Sequence, residues 1–268
     1  MRLRTIIRNI RDSYCAIRMV RNWPEAVDRG VIKRQESTLV LRNGLRITGP
    51  DGNGALRMVW NIFHSGEYAP RGFEIGENDS VVDIGANIGI FTLFAARKTR
   101  NVVHAFEPFP GNFGYLRKNV LSNNYAHVSC HNRAVTDTLD PVKLYISTVS
   151  WGHRVFQGPS HKTPDGGFIE VPAITLKKIM DESDLEKIDY CKIDCEGAEG
   201  AILFSTPPSY LQRVRRIGLE FHDTVSSHSH REISAMLEGL GFTVQKKWDG
   251  VSPFGHLFAK RTSGGGLV

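Results

Sequence analysis

Cysteines and long apolar segments are both scarce in this sequence of 268 residues, and each scarcity argues against a class of protein. The four cysteines include no Cys-x-x-Cys pair and are too few for a disulfide scaffold in a chain of this length. We therefore interpret Cys130, Cys191 and Cys195, in or beside predicted buried strands, as reduced core thiols. No apolar run approaches the roughly 20 residues that a membrane-spanning helix requires, which argues against a helical membrane protein.

Acidic residues are few at the start of the chain, where nine lysines and arginines stand against three acidic residues within the first 34 positions. This excess of six equals the net charge of +6 of the whole chain. Arginines interrupt the apolar residues of this segment, which argues against a signal-peptide core, and we expect a cytoplasmic protein. A basic balance also suits anionic partners such as nucleic acid or a membrane surface.

Residues 3–20 have the apolar spacing of an amphipathic helix. Apolar side chains recur at three- and four-residue steps, at Leu3, Ile6, Ile7, Ile10, Tyr14 and Ile17. Three interpretations stay open for this segment. It is a helix that caps the domain or forms a homodimer, a membrane-surface helix of residues 1–21 at the inner face of the membrane, or a substrate contact.

A short cap is predicted to precede the main domain. The dipeptide Asn43-Gly44 lies between two runs of β-type residues, which is typical of a β-hairpin. Residues 55–68 favour a helix. The predicted units are a cap over residues 1–75, an α/β domain over 76–262 and a Gly-rich tail over 263–268.

From residue 76 onwards the pattern alternates between strands and helices, with a glycine in many of the turns. The predicted strands are 81–84, 102–106, 127–130, 188–193 and 216–221, with an inserted hairpin at 142–147 and 168–174 and a terminal antiparallel pair at 243–248 and 254–259. The predicted helices are 88–97, 110–122, 176–180, a segment from 198 and 230–239. This alternation predicts a doubly wound, mostly parallel sheet.

A glycine-rich turn joins the first strand of this domain to its helix, with the sequence Asp83-Ile-Gly85-Ala-Asn-Ile-Gly89. Glycine permits a sharp turn and leaves room for a ligand beside the backbone. Asp83 stands at the carboxyl end of the strand, where open α/β sheets bind ligands. A carboxylate there is poorly suited to a pyrophosphate and favours a ligand with an ammonium group, such as the methionyl part of S-adenosylmethionine.

A second acid, Glu107, ends the next strand, 24 residues after Asp83. Dinucleotide-binding folds place the acid that accepts the ribose hydroxyls at about this spacing. Two alternatives remain. One is a glycine turn without a ligand, and the other is an NAD-type enzyme, whose turn would read Gly-x-Gly-x-x-Gly rather than Gly85-x-x-x-Gly89.

These segments, together with two later ones, resemble the FkbM-type methyltransferase family. The later ones are Ile193-Asp194-Cys-Glu196-Gly-Ala-Glu199 and Leu219-Glu220-Phe-His222. The order and spacing match over roughly residues 65–225. The resemblance implies a class I methyltransferase (Rossmann-like) fold, S-adenosylmethionine as the methyl donor and O-methylation of a hydroxyl on a sugar, glycan or natural product.

The resemblance also implies which residues bind the donor, in the glycine-rich turn, around the second acid and after the third strand. They are Asp83, Gly85, Ala86, Asn87, Gly89, Glu107, Pro108 and Ala134. For Ala134, simple packing is the alternative.

Three side chains at the ends of the fourth and fifth strands of this domain form a candidate catalytic cluster. Asp194 follows the fourth strand, and Glu220 and His222 share one face of the fifth because strand side chains alternate. Either His222 or Asp194 is a general base for the acceptor hydroxyl, or the three hold Mg²⁺ or Mn²⁺, which prefer hard oxygen ligands. A purely structural network is the third interpretation.

Four further residues are candidate substrate contacts. Trp151 and His153 lie in the inserted region, where an indole is suited to stacking on adenine or on a sugar, and core packing is the alternative. Glu196 and Glu199 stand at the start of the helix after the fourth strand. Their alternative role is favourable charge at a helix N-terminus.

Two other functions stay open beside methylation of a small-molecule or oligosaccharide acceptor. The basic charge suits a nucleic-acid methyltransferase, but the sequence lacks an Asn/Asp-Pro-Pro-Tyr/Phe motif and its basic excess lies outside the α/β domain. The other alternative is a non-catalytic or membrane-associated binding protein on the same fold.

Overall fold

The computed structural model describes residues 14, 16–24, 36–50, 52–146, 155 and 167–261. Most of the predicted N-terminal helix and the whole Gly-rich tail lie outside these residues. Within the described ranges, no helix has both the length and the apolar character needed to cross a bilayer.

The cap contains the predicted hairpin. Strands β1 (Ser37–Val40) and β2 (Arg46–Gly49) pair antiparallel, and Gly44 in their turn has a φ of +95°. Helix α1 (Gly52–Val59) follows and continues directly into a π-helix (Trp60–His64). The sequence predicted a single helix here, because a change of helical pitch leaves no clear mark in the apolar spacing.

The described part of the N-terminal helix buries different residues from those predicted. Ala16 and Val20 are fully buried, whereas Tyr14 and Ile17, on the predicted apolar face, are 51% and 45% exposed. Val20 forms an antiparallel β-bridge with Leu41 beside the hairpin. This pairing draws the side that carries Val20 onto the cap, and Tyr14 and Ile17 therefore lie on the exposed side.

A seven-stranded sheet forms the centre of the α/β domain. Its elements and the inserted strands are, in chain order, β3 (Val81–Ile84), α2 (Ile90–Lys98), β4 (Val103–Phe106), α3 (Pro110–Ser122), β5 (Val128–His131), β6 (Ala134–Val135), β7 (Val142–Tyr145), β8 (Phe168–Val171), β9 (Ala173–Ile174), α4 (Leu176–Glu182), β10 (Tyr190–Ile193), α5 (Glu199–Ser205), α6 (Pro208–Leu211), β11 (Arg216–His222), α7 (His230–Gly239), β12 (Phe242–Lys247) and β13 (Phe254–Arg261). The sheet order is β12-β13-β11-β10-β3-β4-β5.

The five strands from β11 to β5 run parallel, and β12 and β13 add the antiparallel pair. The predicted doubly wound sheet with a terminal pair is therefore confirmed. The predicted inserted hairpin is also present, as β7 and β8. The sequence missed the parallel pair of β6 and β9, because two-residue strands are too short to show a period.

The strand order brings the residues of interest to one edge of the sheet. Strand β3 lies between β4 and β10, and β11 lies beside β10. Since these strands are parallel, their carboxyl ends meet at the same edge, where α/β folds bind ligands. One buried cluster joins the cap to α2 and α3, and a second contains α4, α5 and α7. The cap is therefore held by the core of the domain and contributes to this edge.

Candidate active site

A cavity of about 590 Å³ opens at the carboxyl edge of the sheet. We divide its wall into two parts. The loop half includes residues 84–87, 106–108 and 134–135 and Leu144. The acid half includes Glu67, Tyr68, Asp194, Glu196, Glu220 and His222.

Gly85 lies in the loop half with a φ of +73°, a conformation that favours glycine. A Cβ atom there would lie 1.7 Å from the carbonyl oxygen of Asp194. The glycine is thus required by the contact between the loop and the segment after β10. The N–H groups of Gly85 and Ala86 both donate to the carbonyl oxygen of Phe106, at 3.0 and 2.9 Å, so the fold already uses them.

Glu107 follows β4 and lies buried at the cavity wall. Its Oε2 accepts the N–H of Asn87 at 2.8 Å, and its Oε1 accepts that of Phe109 at 2.9 Å. Burial outweighs these hydrogen bonds and raises the pKa of Glu107 to about 7. Each carboxylate oxygen keeps acceptor capacity beyond its one backbone bond, which suits a ligand with two neighbouring hydroxyls.

The remaining wall of the loop half is largely apolar. Pro108 and Ala134 line it as predicted, together with Val135 and Leu144. Val155, the described residue of the 147–166 segment, also lines the cavity. Two predicted substrate contacts of that segment, Trp151 and His153, lie outside the described residues.

Asp83 and Gly89 support the loop from behind and are not part of the cavity wall. The fully buried carboxylate of Asp83 accepts the hydroxyl of Thr92 at 2.6 Å and lies 3.2 Å from Lys192 Nζ. A Cβ atom on Gly89 would lie 2.7 Å from Leu116 Cδ1, so this glycine allows α2 to pack on α3. In this structure the protein itself occupies the side chain of Asp83 and the space beside Gly89, and their predicted contacts with the donor stay predictions.

Asp194, Glu220 and His222 come together in the acid half, as their strand positions predicted. Each offers one metal-ligating atom, and these atoms all lie within 4.8 Å of one another. The hydroxyl of Tyr68 donates to Asp194 Oδ2 at 2.9 Å and lies 3.3 Å from Glu220 Oε2. Tyr68 belongs to the cap, and sequence reasoning missed it because no motif surrounds it.

The charges in the cluster depend on one another. Burial alone would raise the pKa of Asp194, but Lys192 and His222 outweigh burial and lower this pKa, so the carboxylate is ionised. Burial and the neighbouring Asp194 raise the pKa of Glu220 to about 8. The acid half therefore pairs an ionised acid with one that keeps its proton at neutral pH.

His222 is surrounded by carboxylates. Its Nδ1 lies 3.1 Å from Glu199 Oε1, and its Nε2 lies 3.5 Å from Glu196 Oε2. Burial lowers the pKa of His222, but Glu199, Glu196 and Asp194 outweigh burial and raise it to about 10. Without a cation at the cluster, a protonated imidazole is not a base at neutral pH, so of the two predicted bases these charges favour Asp194.

The two glutamates after β10 have different placements. Glu199 is fully buried, where its Oε1 accepts the N–H groups of Cys195 at 3.2 Å and Gly197 at 3.1 Å. It lies outside the cavity wall and contacts the His222 ring, so the structure places it to orient His222, and its predicted substrate contact stays a prediction. Glu196 lines the cavity and stays a candidate substrate contact.

Lys192 is the second residue that sequence reasoning missed. It lies on β10, its side chain is 4% exposed, and it borders the cavity between the two halves. Burial lowers its pKa, but Asp83 and Asp194 outweigh burial and raise it, so the ammonium is charged. The signal in the sequence was a lone lysine within Tyr190-Cys-Lys-Ile193, an otherwise apolar strand.

The sequence also matches a family of methyltransferases and individual members of it. The family described as "Methyltransferase FkbM domain" matches residues 83–244, which is more than half of the chain. The sequence is 28% identical over 257 residues to 31-O-demethyl-FK506 methyltransferase FkbM from Streptomyces tacrolimicus, covering 85% of this chain and 98% of the relative. It is 27% identical over 154 residues to the hexuronic acid methyltransferase AglP from Haloferax volcanii, covering 56% and 58%.

Among solved structures, methyltransferase FkbM from Methylobacillus flagellatus KT is similar at 12% identity and a TM-score of 0.48, covering 96% of this chain and 60% of that one. The segment matched by the family contains the glycine-rich turn, Glu107 and the cluster of Asp194, Glu220 and His222. The chain therefore belongs to the FkbM family of methyltransferases.

Proposed function

We propose that this methyltransferase transfers a methyl group from S-adenosylmethionine to a hydroxyl of a sugar, glycan or natural-product acceptor, with a divalent cation in the acid half. The observation that carries the proposal is the cluster of Asp194, Glu220 and His222, which faces the same cavity as the loop half. The names of two relatives, a 31-O-demethyl-FK506 methyltransferase and a hexuronic acid methyltransferase, support acceptors of this class.

The loop half fits the donor. A cavity of about 590 Å³ is within the usual range for small-molecule sites. Glu107 would accept the ribose hydroxyls, and the apolar wall at Pro108, Ala134 and Leu144 would contact the adenine ring. When bound, S-adenosylmethionine supplies a methyl group on a positively charged sulfur. Holding that methyl and the acceptor oxygen in line is a large part of the rate gain.

The acid half fits a hard divalent cation. Asp194 and Glu220 offer oxygen ligands and His222 an imidazole nitrogen, a set that suits Mg²⁺ or Mn²⁺. A cation bound there would displace the protons that Glu220 and His222 carry without it, because metal ligands bind in their deprotonated form. Glu199 on Nδ1 of His222 is the kind of partner that metal-ligating histidines commonly have. A cation held there would anchor the acceptor hydroxyl and lower its pKa.

Without a cation, Asp194 is the base that the charges favour. Lys192 and His222 keep its carboxylate ionised, and Tyr68 fixes one of its oxygens. Asp194 would take the proton of the acceptor hydroxyl as the new C–O bond forms, which general-base catalysis requires.

The test is methyl transfer from labelled S-adenosylmethionine to a panel of uronic acids, monosaccharides and hydroxylated macrolactones, in Mg²⁺, Mn²⁺ or EDTA. We expect a methyl ether product, loss of activity in EDTA and recovery with either metal. Full activity in EDTA would reject the cation and retain Asp194 as base. Transfer to RNA or DNA, with none to the panel, would reject this acceptor class. Asp181→Asn, at a surface ion pair with Lys177, is the matched control for changes in the acid half.

The predicted partners of the N-terminal segment and the cytoplasmic localisation stay predictions. Flotation with anionic liposomes, with and without residues 1–21, tests the membrane-surface contact. Equal flotation of both forms would reject it. Sedimentation of the same two forms tests the homodimer.

A further inference from the structure

Lys192 joins the two halves of the cavity through one buried ammonium group. Its Nζ donates to the carbonyl oxygen of Gly85 at 2.6 Å and to that of Ile84 at 3.2 Å. The same Nζ lies 3.2 Å from Asp83 Oδ1 and 3.6 Å from Asp194 Oδ2. One cation therefore contacts the loop that faces the donor and the acid that faces the acceptor.

The register of the sheet sets this position. On β10, Lys192 pairs directly with Asp83 of the parallel neighbour β3, so their side chains share one face of the sheet. The ammonium also lies 5.4 Å from the centre of the Tyr68 ring, within the range of a cation–π contact. A charge buried to this degree is costly unless it is hydrogen-bonded and paired, and here two backbone carbonyls accept from Nζ while Asp83 and Asp194 form ion pairs with it.

We propose that Lys192 is a positioning residue, which ties the carbonyl of Gly85 to the carboxylate of Asp194 and so fixes the donor loop relative to the acceptor acid. The role of Asp194 at the acceptor rests on the function proposed above, whereas the attachment of the loop does not. The bare α-carbon of Gly85 packs against the carbonyl of Asp194. Lys192 connects the same two segments by a hydrogen bond to Gly85 and an ion pair with Asp194.

A plainer role would be to neutralise Asp83. The distances favour positioning, because the shortest contact of Nζ is with the carbonyl of Gly85, at 2.6 Å, and not with Asp83, at 3.2 Å. Moreover, the N–H of Asp194 donates to the carbonyl of Ile84 at 3.1 Å, and Lys192 donates to that same oxygen. The backbone N–H of Asp194 and the ammonium of Lys192 therefore both bind the carbonyl oxygen of Ile84, next to Gly85.

The experiment compares Asp83→Asn with the double variant Asp83→Asn/Lys192→Met. The single change Lys192→Met leaves Asp83 buried without its cation and is expected to lower the melting temperature. Both proteins of the chosen pair carry the uncharged asparagine at position 83, so they differ only at position 192. Lys187→Met is the matched control, because Lys187 pairs with the buried Asp189 near the other end of β10, away from the cavity.

Two readouts are taken on the full chain, neither of which needs an acceptor or a metal. Calorimetry gives the Kd of S-adenosylhomocysteine, and hydrogen–deuterium exchange reports the backbone amides of residues 85–89 and 194–197. We expect the double variant to bind at least about tenfold more weakly than Asp83→Asn, the scale of a lost hydrogen bond to a charged group. We also expect both segments to exchange faster, with melting temperatures similar in the two variants and Lys187→Met unchanged in binding.

The proposal is overturned if the double variant binds S-adenosylhomocysteine as tightly as Asp83→Asn, with equal exchange in both segments. Lys192 would then only neutralise Asp83. Faster exchange in residues 85–89 alone would overturn the connection to Asp194. Because the acceptor and the cation take no part in these measurements, a failed search for a hydroxyl acceptor would leave this test intact.

Discussion

The two halves of the cavity are built in different ways. In the loop half, the contacts join short turns that follow adjacent strands, such as the bond from the N–H of Asn87 to Glu107. In the acid half, side chains come from the cap, β11 and the turn between β10 and α5, and Tyr68 and Asp194 are 126 positions apart. The loop half therefore depends on local backbone geometry, and the acid half depends on tertiary packing and on coupled charges. Changes in one half are expected to leave the function of the other largely intact, except at the residues where the halves touch.

The largest effect is expected at Gly85, where the halves touch. Gly85→Ala places a Cβ against the carbonyl of Asp194 in a left-handed backbone, so we expect a loss of stability of about 3 kcal/mol or more, together with loss of donor binding. Gly72→Ala is the control, because Gly72 also has a positive φ, +89°, but no atom lies within 4 Å of its added Cβ. Chemical unfolding measures the stability of both variants. Equal losses of stability would show that the contact with the carbonyl of Asp194 is not what makes glycine necessary at position 85.

Asp194→Asn tests the acid half, because it keeps a side-chain oxygen beside Lys192 but removes the charge of the carboxylate. We expect turnover to fall about 10³-fold, since the change removes a base or cation ligand, while the affinity for S-adenosylhomocysteine changes less than about threefold. Rapid-quench turnover and calorimetry give the two numbers. A parallel loss of donor affinity would show that the acid half also binds the donor.

Tyr68→Phe tests the part that the cap contributes. The variant keeps the ring, which packs edge-on against Phe91 at 5.6 Å, and removes the hydroxyl bond to Asp194. We expect turnover to fall about tenfold, the scale of a hydrogen bond to a charged group, with donor affinity unchanged. Turnover equal to that of the wild type would show that the Tyr68 hydroxyl has no part in the reaction.

A smaller effect of pH is expected on the affinity for S-adenosylhomocysteine, through Glu107 in the loop half. The pKa of Glu107 is about 7, so its carboxylate is mainly ionised at pH 8 and mainly protonated at pH 6. The ionised form accepts hydroxyls better, and affinity for S-adenosylhomocysteine should therefore fall about fivefold from pH 8 to pH 6. Glu107→Gln should remove this slope. A slope that persists in the variant would assign it to another group.

The sequence predicts the loop half well for the same reason that this half is local. Glycine spacing and strand ends point to Gly85 and Glu107, which lie in turns next to their own strands and line the cavity. The resemblance adds Ala134, which lines the cavity from the short strand β6. Asp83 was predicted to reach the ligand, but strand pairing turns it toward Lys192, and no pattern within one segment reveals a neighbour 109 positions away. This separation along the chain explains why the contact between Asp83 and Lys192 was not predicted.

The acid half shows the same limit in its charges. Alternation along β11 correctly predicted that Glu220 and His222 face the position of Asp194. It did not predict that Glu199 and Glu196 would surround His222, which raises its pKa and makes it a poor base. Tyr68 was beyond prediction, because its position depends on how the cap packs on the domain.

The most direct test of this account is a calorimetric titration of S-adenosylhomocysteine into the wild-type protein, Glu107→Gln and His222→Ala. We expect micromolar binding by the wild type, the same affinity within about threefold in His222→Ala, and binding weakened about tenfold in Glu107→Gln. No binding by the wild type, or equal losses in the two variants, would contradict a donor site confined to the loop half.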